Sequence, residues 1–304
     1  MRAARQTEDS RESQVLFDSE FLRKLEFLSL ISRRVHRGEA RGEHATLKRG
    51  IGFEFSDYRS YQSGDDFRYI DWHVFSRINK LFVKLFRAEE DLTVHLLIDS
   101  SASMAFGRPT KIDFAKKIAA ALGAIGILNL DRVGVSAFSD TLRELLPPHR
   151  SKRQLSSLLE YFNRIKAEGA TGFSRSLLDY SVRTKRPGLA VVFSDLLDQE
   201  GYEKGLLALL YAKFDVVVIH IVAEEELRPP LGGAFRIVDS ETGEDRKVTV
   251  DPALLKSYSK VLRRFFQQAE SFCLGHGIEY LRANTVVPFE DVLLKYIRQG
   301  MHLK

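Results

Sequence analysis

The feature that most constrains this chain is a regular alternation of apolar runs and helical patterns that begins after Asp91. Residues 92–98 are almost continuously apolar, and a helical pattern over residues 112–128 follows them. An apolar run of this kind is typical of a strand buried on both faces. Strands that alternate with helices indicate a parallel sheet. The sequence therefore predicts an α/β protein with a doubly wound, mostly parallel sheet.

The same alternation continues to residue 222 and returns near the C-terminus. Further strands are predicted at 133–138, 189–193, 216–222 and 278–282, and further helices at 151–165, 174–184, 202–214, 252–274 and 289–298. Residues 234–250 interrupt the pattern with two short strand-like stretches around Thr242-Gly243-Glu244, which predicts a hairpin added to the sheet. We therefore assign residues 91–304 to one domain with a hairpin insertion near 234–250.

Residues 1–90 have a different character and are assigned to an N-terminal module. Apolar residues recur at helical spacing over residues 18–36, which predicts a helix. From residue 53 onward aromatic and charged residues are mixed, and residues 81–86 have the pattern of a strand. The module is thus expected to hold one helix and a β-rich part. The charged residues between Arg59 and Arg77 are expected to form ion pairs that hold it on the main domain, with Trp72 as a packing anchor.

Composition narrows the class of protein. The chain has 304 residues, 44% of them hydrophobic, and a formal net charge of +5, which excludes a disordered chain. Its single cysteine, Cys273, cannot close an internal disulfide or build a cysteine-rich metal site. The longest apolar stretch, residues 118–130, is shorter than the ~20 residues that a membrane helix needs. We therefore expect a soluble, cytoplasmic protein without a membrane span.

Oxygen-bearing side chains follow two of the predicted strands and also lie in a loop that precedes a predicted helix. Asp99, Ser101 and Ser103 come at the end of the first strand, Asp195 comes after residue 193, and Thr171 lies in a glycine-flanked loop. Ligands of open α/β sheets bind at the carboxyl ends of the strands. Carboxylate and hydroxyl oxygens suit a hard cation, so we predict a site for Mg²⁺ or another divalent cation. Because only two of these ligands are carboxylates, a bound divalent ion could also accept a carboxylate from another protein.

Each of these residues could instead have a purely structural role in a helix cap or a turn. Serine and aspartate are the usual residues at helix N-caps, and a threonine between glycines is common in turns. Asp198 lies close enough to Asp195 to take its proposed place. Asp195 is preferred because it follows the strand directly. Capping alone does not explain why all three loops carry oxygen ligands.

The order of these motifs resembles the metal-ion-dependent adhesion site of von Willebrand factor A domains. Asp99-x-Ser101-x-Ser103, a Gly169-x-Thr171 loop and a strand that ends in Asp195 match that pattern in sequence and in predicted structure. The resemblance implies a von Willebrand factor A-like fold. It also implies that the serines and the threonine bind the ion, that the aspartates act directly or through water, and that a partner protein offers an Asp or Glu to the ion.

The N-terminal segment extends the resemblance to nearly the whole chain. Gly50-Ile51-Gly52-Phe53-Glu54-Phe55, Gly64-Asp65-Asp66 and Ile70-Asp71-Trp72, ahead of the Asp99 motif, resemble the bacterial family known as domain of unknown function 58. Many members of that family carry two membrane spans near the N-terminus; this chain resembles the shorter soluble type. The family resemblance implies a partnership with a MoxR-type AAA+ ATPase, in assembling or remodelling other complexes. No enzymatic activity is established for the family, and we expect a non-enzymatic protein.

Two other functions remain as alternatives. A metal-dependent phosphoester hydrolase could use Asp99 as nucleophile, although no second carboxylate follows two residues later and no neighbouring lysine is evident. A nucleic-acid-binding accessory protein could use the basic residues between Arg33 and Arg49, whose plainer reading is a solvated linker. The sequence holds no HExxH, GxSxG or P-loop motif. We predict no catalytic residues and no organic cofactor, and we expect His95 and His220 to be core histidines.

Overall fold

The computed structural model describes residues 16–25, 28, 54–87, 92–151, 153–229, 233–238 and 245–298. The chain divides into two compact units, Arg34–Asp91 and a larger one formed by Met1–Arg33 with Leu92–Lys304. Residues 19–25 are helical, within the range predicted for the first helix. This segment belongs to the larger unit, where Phe17 lies 6.3 Å from Phe162 and Phe21 lies 5.2 Å from Phe289, ring centre to ring centre. It therefore lies outside the unit that contains the β-rich part, whereas the sequence pattern grouped residues 1–90 in one module.

The smaller unit is a β-hairpin with a helix between its strands. Strand β1 (Glu54–Ser60) pairs antiparallel with β2 (Phe82–Arg87), and helix α1 (Trp72–Ile78) lies between them in the chain. The strand predicted at residues 81–86 is therefore confirmed. Asp71 caps α1 by accepting from the backbone N–H groups of His73 and Val74.

Two ion pairs that involve charged residues of the 59–77 segment lie within this unit. That this segment holds the module on the main domain stays a prediction. Arg59 Nη2 lies 2.7 Å from Asp65 Oδ1, and Lys84 Nζ lies 3.1 Å from Asp71 Oδ2. They tie the hairpin to the segment between its strands. Trp72 is 58% exposed, so the expectation that it is a packing anchor was wrong.

The larger unit contains the predicted alternation. In chain order its elements are β3 (Thr93–Asp99), α2 (Lys111–Leu128), β4 (Arg132–Phe138), β5 (Leu142–His149), α3 (Gln154–Arg164), α4 (Phe173–Arg183), β6 (Leu189–Ser194), α5 (Glu203–Tyr211), β7 (Asp215–Val222), α6 (Glu224–Leu227), β8 (Gly233–Val238), β9 (Asp245–Val250), α7 (Pro252–Gly275), β10 (Glu279–Asn284) and α8 (Phe289–Arg298). Every strand and helix predicted after Asp91 is present, with ends displaced by a few residues at most.

Among the described residues, six strands form the central sheet in the order β10-β7-β6-β3-β4-β5. All neighbours pair in parallel except β4 and β5. The doubly wound, mostly parallel α/β fold is thus confirmed. From β3 the chain proceeds to β4 on one side, and it later builds β6, β7 and β10 on the other side. The gap between the carboxyl ends of β3 and β6 is therefore the point at which an open α/β sheet binds ligands.

The predicted hairpin is present but is not part of this sheet. Strands β8 and β9 pair antiparallel as a separate two-stranded sheet, so the expectation that they extend the main sheet was wrong. The physical reason is that β10 takes the place beside β7, and β5 takes the opposite edge. Strand β5, which carries Pro147 and Pro148, was not predicted; proline is tolerated at a sheet edge, where it interrupts no inner ladder.

Helices cover both faces of the sheet. On one face Leu97, Phe173, Leu206 and Ala269 belong to one buried cluster, which draws on β3, α4, α5 and α7. On the other face Leu96 approaches Gly123 of α2, where a Cβ atom would lie 3.1 Å from the leucine side chain. The resulting three layers bury the strands and leave only the loops at the sheet ends free to bind a ligand.

The two strand histidines are core residues, as predicted. His95 on β3 is fully buried, with Nδ1 2.6 Å from the Tyr180 hydroxyl and Nε2 3.1 Å from the Arg186 carbonyl oxygen. His220 on β7 is 1% exposed and lies 2.7 Å from the Tyr280 hydroxyl. Burial lowers the pKa of His95 to about 4 and that of His220 to about 3. Both imidazoles are therefore neutral at physiological pH.

The buried His95 predicts a specific acid sensitivity. Because the folded pKa is about 4 and the unfolded value is 6.5, the unfolded chain binds more protons between these values, and stability falls as the pH is lowered from 6.5 to 4. We expect about 2 kcal/mol of this loss to come from His95. Urea unfolding at several pH values should show a shallower fall for His95→Gln than for His276→Gln, which alters an exposed histidine. Parallel curves for the two variants would contradict the prediction.

Candidate metal centre

The first carboxylate of the predicted site is held rigidly at the end of β3. Asp99 is fully buried. Its Oδ1 accepts the Ser101 backbone N–H at 3.0 Å, and its Oδ2 accepts the Ser194 hydroxyl at 2.6 Å. The latter bond connects the carboxyl ends of β3 and β6, because Ser194 is the last residue of β6.

The hydroxyls of the Asp99 loop connect it to the second predicted carboxylate. Ser101 Oγ lies 3.1 Å from Ser103 Oγ, and Ser103 Oγ donates to Asp195 Oδ2 at 2.7 Å. Asp195 is 1% exposed, and its Oδ1 accepts the Leu197 backbone N–H at 3.0 Å. Hydrogen bonds thus bring together four of the five predicted ligands at the gap between β3 and β6. Their role as metal ligands stays a prediction.

Thr171 belongs to a loop that is tied to this centre through its backbone. The carbonyl oxygen of Gly169 accepts the Ala102 N–H at 2.9 Å, and the N–H of Gly172 donates to the Ser139 carbonyl oxygen at 2.8 Å. Gly169 has a φ of +87°, a conformation that a residue with a Cβ rarely adopts, which explains the glycine at this turn. The structure therefore fixes the Thr171 loop next to the Ser101–Ser103 loop.

The structure separates Asp195 from its neighbour Asp198. Asp198 Oδ2 accepts the backbone N–H of Phe173, the first residue of α4, and its Oδ1 accepts that of Glu200. These bonds give Asp198 the capping role that the sequence also allowed. Asp195, in contrast, accepts a hydrogen bond from Ser103 in the network at the strand ends. The choice of Asp195 as the metal ligand stays a prediction.

Two charged residues of the centre were missed by sequence reasoning. Lys111 Nζ lies 2.6 Å from Asp195 Oδ2 and 2.6 Å from Glu226 Oε1. Lys111 is only 1% exposed, and the Glu226 side chain is 18% exposed. No neighbouring lysine was evident from the sequence, but the structure places Lys111 beside Asp195. One feature of the sequence could have pointed to Lys111. It is the first residue of α2, where a positive charge is unfavourable beside the positive end of the helix dipole and needs a nearby carboxylate.

Burial and like charge set the electrostatics of the centre. Burial, and then the charge of Asp195, raise the pKa of Asp99 to about 7. Burial alone would lower the pKa of Lys111, but the charges of Asp195 and Glu226 outweigh it and raise that pKa. Asp195 and Glu226 thus share the one ammonium group of Lys111, while Asp99 is repelled by Asp195. This excess of negative charge, together with three hydroxyls, fits a hard divalent cation.

Apolar side chains lie exposed beside the centre. Phe106 is 50% exposed, and its ring centre lies 6.0 Å from Lys111 Nζ; Leu197 is 48% exposed and follows Asp195 by two residues. Ser103 and Thr171 are half-buried. Polar groups that are partly open to solvent and are flanked by exposed apolar groups suit contact with another protein.

The sheet order places these loops at the switch point of a doubly wound, mostly parallel α/β fold. A family model described as "Protein of unknown function DUF58" matches residues 57–268, more than half of the sequence, and the chain belongs to this family. The uncharacterized proteins Mb1516 of Mycobacterium bovis and Rv1480 of Mycobacterium tuberculosis are each 27% identical over 248 residues, covering 80% of this chain and 78% of theirs. The family resemblance seen in the sequence is confirmed.

Two solved structures that match parts of this chain at low sequence identity are as follows. BatB from Bacteroides thetaiotaomicron is 16% identical, with a TM-score of 0.42, and the match covers 68% of this chain and 98% of that one. A von Willebrand factor type A protein from Catenulispora acidiphila is 18% identical, with a TM-score of 0.35 and coverage of 46% and 35%. Within the described residues, no helix is both long enough and apolar enough to cross a bilayer.

Proposed function

We propose that this chain is a non-enzymatic protein-binding module whose binding depends on a divalent cation, Mg²⁺ by donor chemistry. The cation would be held by Asp99, Ser101, Ser103, Thr171 and Asp195. In line with the family resemblance, the partner in this proposal is a MoxR-type AAA+ ATPase, for which the chain acts as an accessory protein in assembling or remodelling complexes.

The observation that carries the proposal is the hydrogen-bond network at the switch point. Ser194 bonds to Asp99, and Ser103 bonds to Asp195, so residues from two neighbouring strand ends hold both carboxylates in place. Such a rigid arrangement of two buried like charges is costly without a compensating cation. The positive charge of Lys111 offsets this negative charge only in part, because its ammonium group also pairs with Glu226.

In this proposal the residues of this chain have different roles in binding the cation and the partner. A bound cation would supply an open coordination position for a partner's carboxylate. Asp99 and Asp195 would fix the position of the cation, and the hydroxyls of Ser101 and Ser103 would contribute neutral oxygens that leave it electrophilic. Phe106 and Leu197 would contact apolar parts of the partner. Such contacts require no bond to be made or broken.

The proposal predicts that Asp99→Ala loses cation-dependent binding. A MoxR-type AAA+ ATPase, the proposed partner, would be purified and immobilised, and binding of this chain to it measured by surface plasmon resonance in Mg²⁺ and in EDTA. Wild type is expected to bind the ATPase in Mg²⁺ but not in EDTA. Asp99→Ala is expected to bind it in neither condition, because the alanine removes one of only two predicted carboxylate ligands. Circular dichroism would verify that the variant is folded.

Asp198→Asn is the matched control, since Asp198 lies in the same loop region but caps α4. It should keep the wild-type response to Mg²⁺. Equal binding of wild type and Asp99→Ala, unaffected by EDTA, would refute cation dependence. Binding that needs Mg²⁺ with an acidic peptide, but no binding to the ATPase, would refute only the proposed partner.

The phosphoester hydrolase is kept as a second candidate because of one observation, the cationic Lys111 beside Asp195. Its ammonium is buried and shared by two carboxylates, which leaves it poorly placed to reach a phosphate. Incubation with p-nitrophenyl phosphate and Mg²⁺ separates the two functions. We expect no turnover above that of Asp99→Ala; turnover that Asp99→Ala abolishes would favour the hydrolase.

A further inference from the structure

Lys111 is a buried cation that contacts one of the predicted metal ligands directly. Its ammonium group lies 2.6 Å from Asp195 Oδ2, the same oxygen that accepts the Ser103 hydroxyl at 2.7 Å. Its other carboxylate partner, Glu226 Oε1, is also 2.6 Å away. Lys111 thus bridges the candidate centre and a residue outside it.

The Glu226 end of this bridge is firmly positioned. Glu226 Oε2 accepts the Ala223 backbone N–H at 2.8 Å, and the Glu226 carbonyl oxygen accepts the Tyr258 hydroxyl at 2.8 Å. Glu226 therefore lies where it can retain the ammonium group while the hydrogen bond to Asp195 is given up. The backbone of Lys111 is anchored at the start of α2, where its N–H donates to the Phe106 carbonyl oxygen at 3.0 Å.

We propose that Lys111 is a built-in counter-ion of the candidate centre: it neutralises Asp195 when no divalent cation is bound, and it lowers the affinity of the centre for that cation. Glu226 is the carboxylate that keeps the ammonium group when the cation takes Asp195. This inference rests on the proposed function, because it concerns the regulation of the same centre.

The physical basis is competition between two cations for one carboxylate. A divalent ion that binds Asp195 must either displace the ammonium group from Oδ2 or lie close to it. Both alternatives are costly in a buried site, where charges are weakly screened. Removing the positive charge of Lys111 should therefore strengthen cation binding. Removing the negative charge of Glu226 should weaken it, because the ammonium group then has only Asp195.

The first test compares two buried lysines of the same helix. Lys111→Met keeps an apolar side chain in the space of the stem but removes the charge. Lys116→Met is the matched control, since Lys116 is 6% exposed and its nearest carboxylate is Asp113 at 3.4 Å. Isothermal titration of the full chain with Mg²⁺, and separately with Mn²⁺, should show about tenfold tighter binding or more for Lys111→Met. Lys116→Met should bind as wild type does.

The second test uses Glu226→Gln, which is partly exposed and isosteric, so the fold should tolerate it. We expect it to bind Mg²⁺ more weakly than wild type, opposite in direction to Lys111→Met. A role of Lys111 in folding alone would not produce opposite shifts in cation affinity from the two ends of one bridge. If Lys111→Met folds only with Mg²⁺ present, that result supports the inference, since the cation then replaces the lost charge.

The outcomes separate this inference from the proposed function. Binding of Mg²⁺ by wild type, with equal or weaker binding by Lys111→Met, overturns the counter-ion role and leaves the proposed function standing. Binding by Lys111→Met but not by wild type supports the counter-ion role and overturns cation dependence in the natural chain. No binding by Lys111→Met overturns the inference, and the wild-type titration then decides the proposed function by itself.

Discussion

Asp195→Ala is expected to lower the free energy of unfolding by about 3–5 kcal/mol, the usual cost of removing one partner from a buried ion pair. The variant leaves Lys111, which is 1% exposed, with Glu226 as its remaining carboxylate partner in the described network. It also removes the acceptor of the Ser103 hydroxyl and of the Leu197 N–H. The measurement is urea unfolding in EDTA, followed by circular dichroism.

The double variant Lys111→Met/Asp195→Ala distinguishes the charge effect from simple loss of packing. Because it removes both charges of the pair, it should be more stable than Asp195→Ala, even though two side chains are changed instead of one. The corresponding single variant Lys111→Met completes a double-mutant cycle. If the two losses add, with no coupling between them, the 2.6 Å contact does not contribute to stability and the reading of the pair is wrong.

The fold could be predicted from the sequence because each buried strand has its own unambiguous pattern. The apolar runs that became β3, β6 and β7 have no other stable place than the middle of a parallel sheet. Strand β5 could not be recognised, because it lies at the sheet edge and contains two prolines. The place of the β8–β9 hairpin depended on which strand would lie beside β7, and local sequence does not specify such a long-range choice.

Only part of the candidate centre could be predicted from the sequence. Asp99 and Asp195 could be related to one another because both follow strands, and strand ends meet at the same edge of a parallel sheet. Lys111 and Glu226 lie 84 and 31 residues from Asp195 along the chain and reach it only through the packing of α2 and α6. No motif spacing connects them. Their contact depends on tertiary structure, so only the structure could show it.

Asp99→Asn is expected to stabilise the cation-free protein while removing its response to Mg²⁺. Burial and the charge of Asp195 raise the pKa of Asp99 to about 7, so its ionised form is unfavourable in the folded state at pH 8. Asparagine removes that charge and can still accept the Ser101 N–H, although the Ser194 hydroxyl must turn to accept a hydrogen bond instead of donating one. We expect a net gain of about 3 kcal/mol in the free energy of unfolding at pH 8 in EDTA.

The sign of this effect follows from the direction of the pKa shift. Since the folded pKa lies above the unfolded one, ionised Asp99 costs stability at pH values above about 7, and the cost disappears as the pH falls below the unfolded value near 3.8. The advantage of Asp99→Asn over wild type should therefore shrink between pH 8 and pH 4, and thermal unfolding across that range measures it. Addition of Mg²⁺ at pH 8 should raise the melting temperature of wild type but not of the variant, because the variant lacks one of the two carboxylate ligands of the proposed site. A variant less stable than wild type at pH 8 would show that ionised Asp99 is not unfavourable in the folded protein, and the electrostatic reason for a cation at this centre would then be lost.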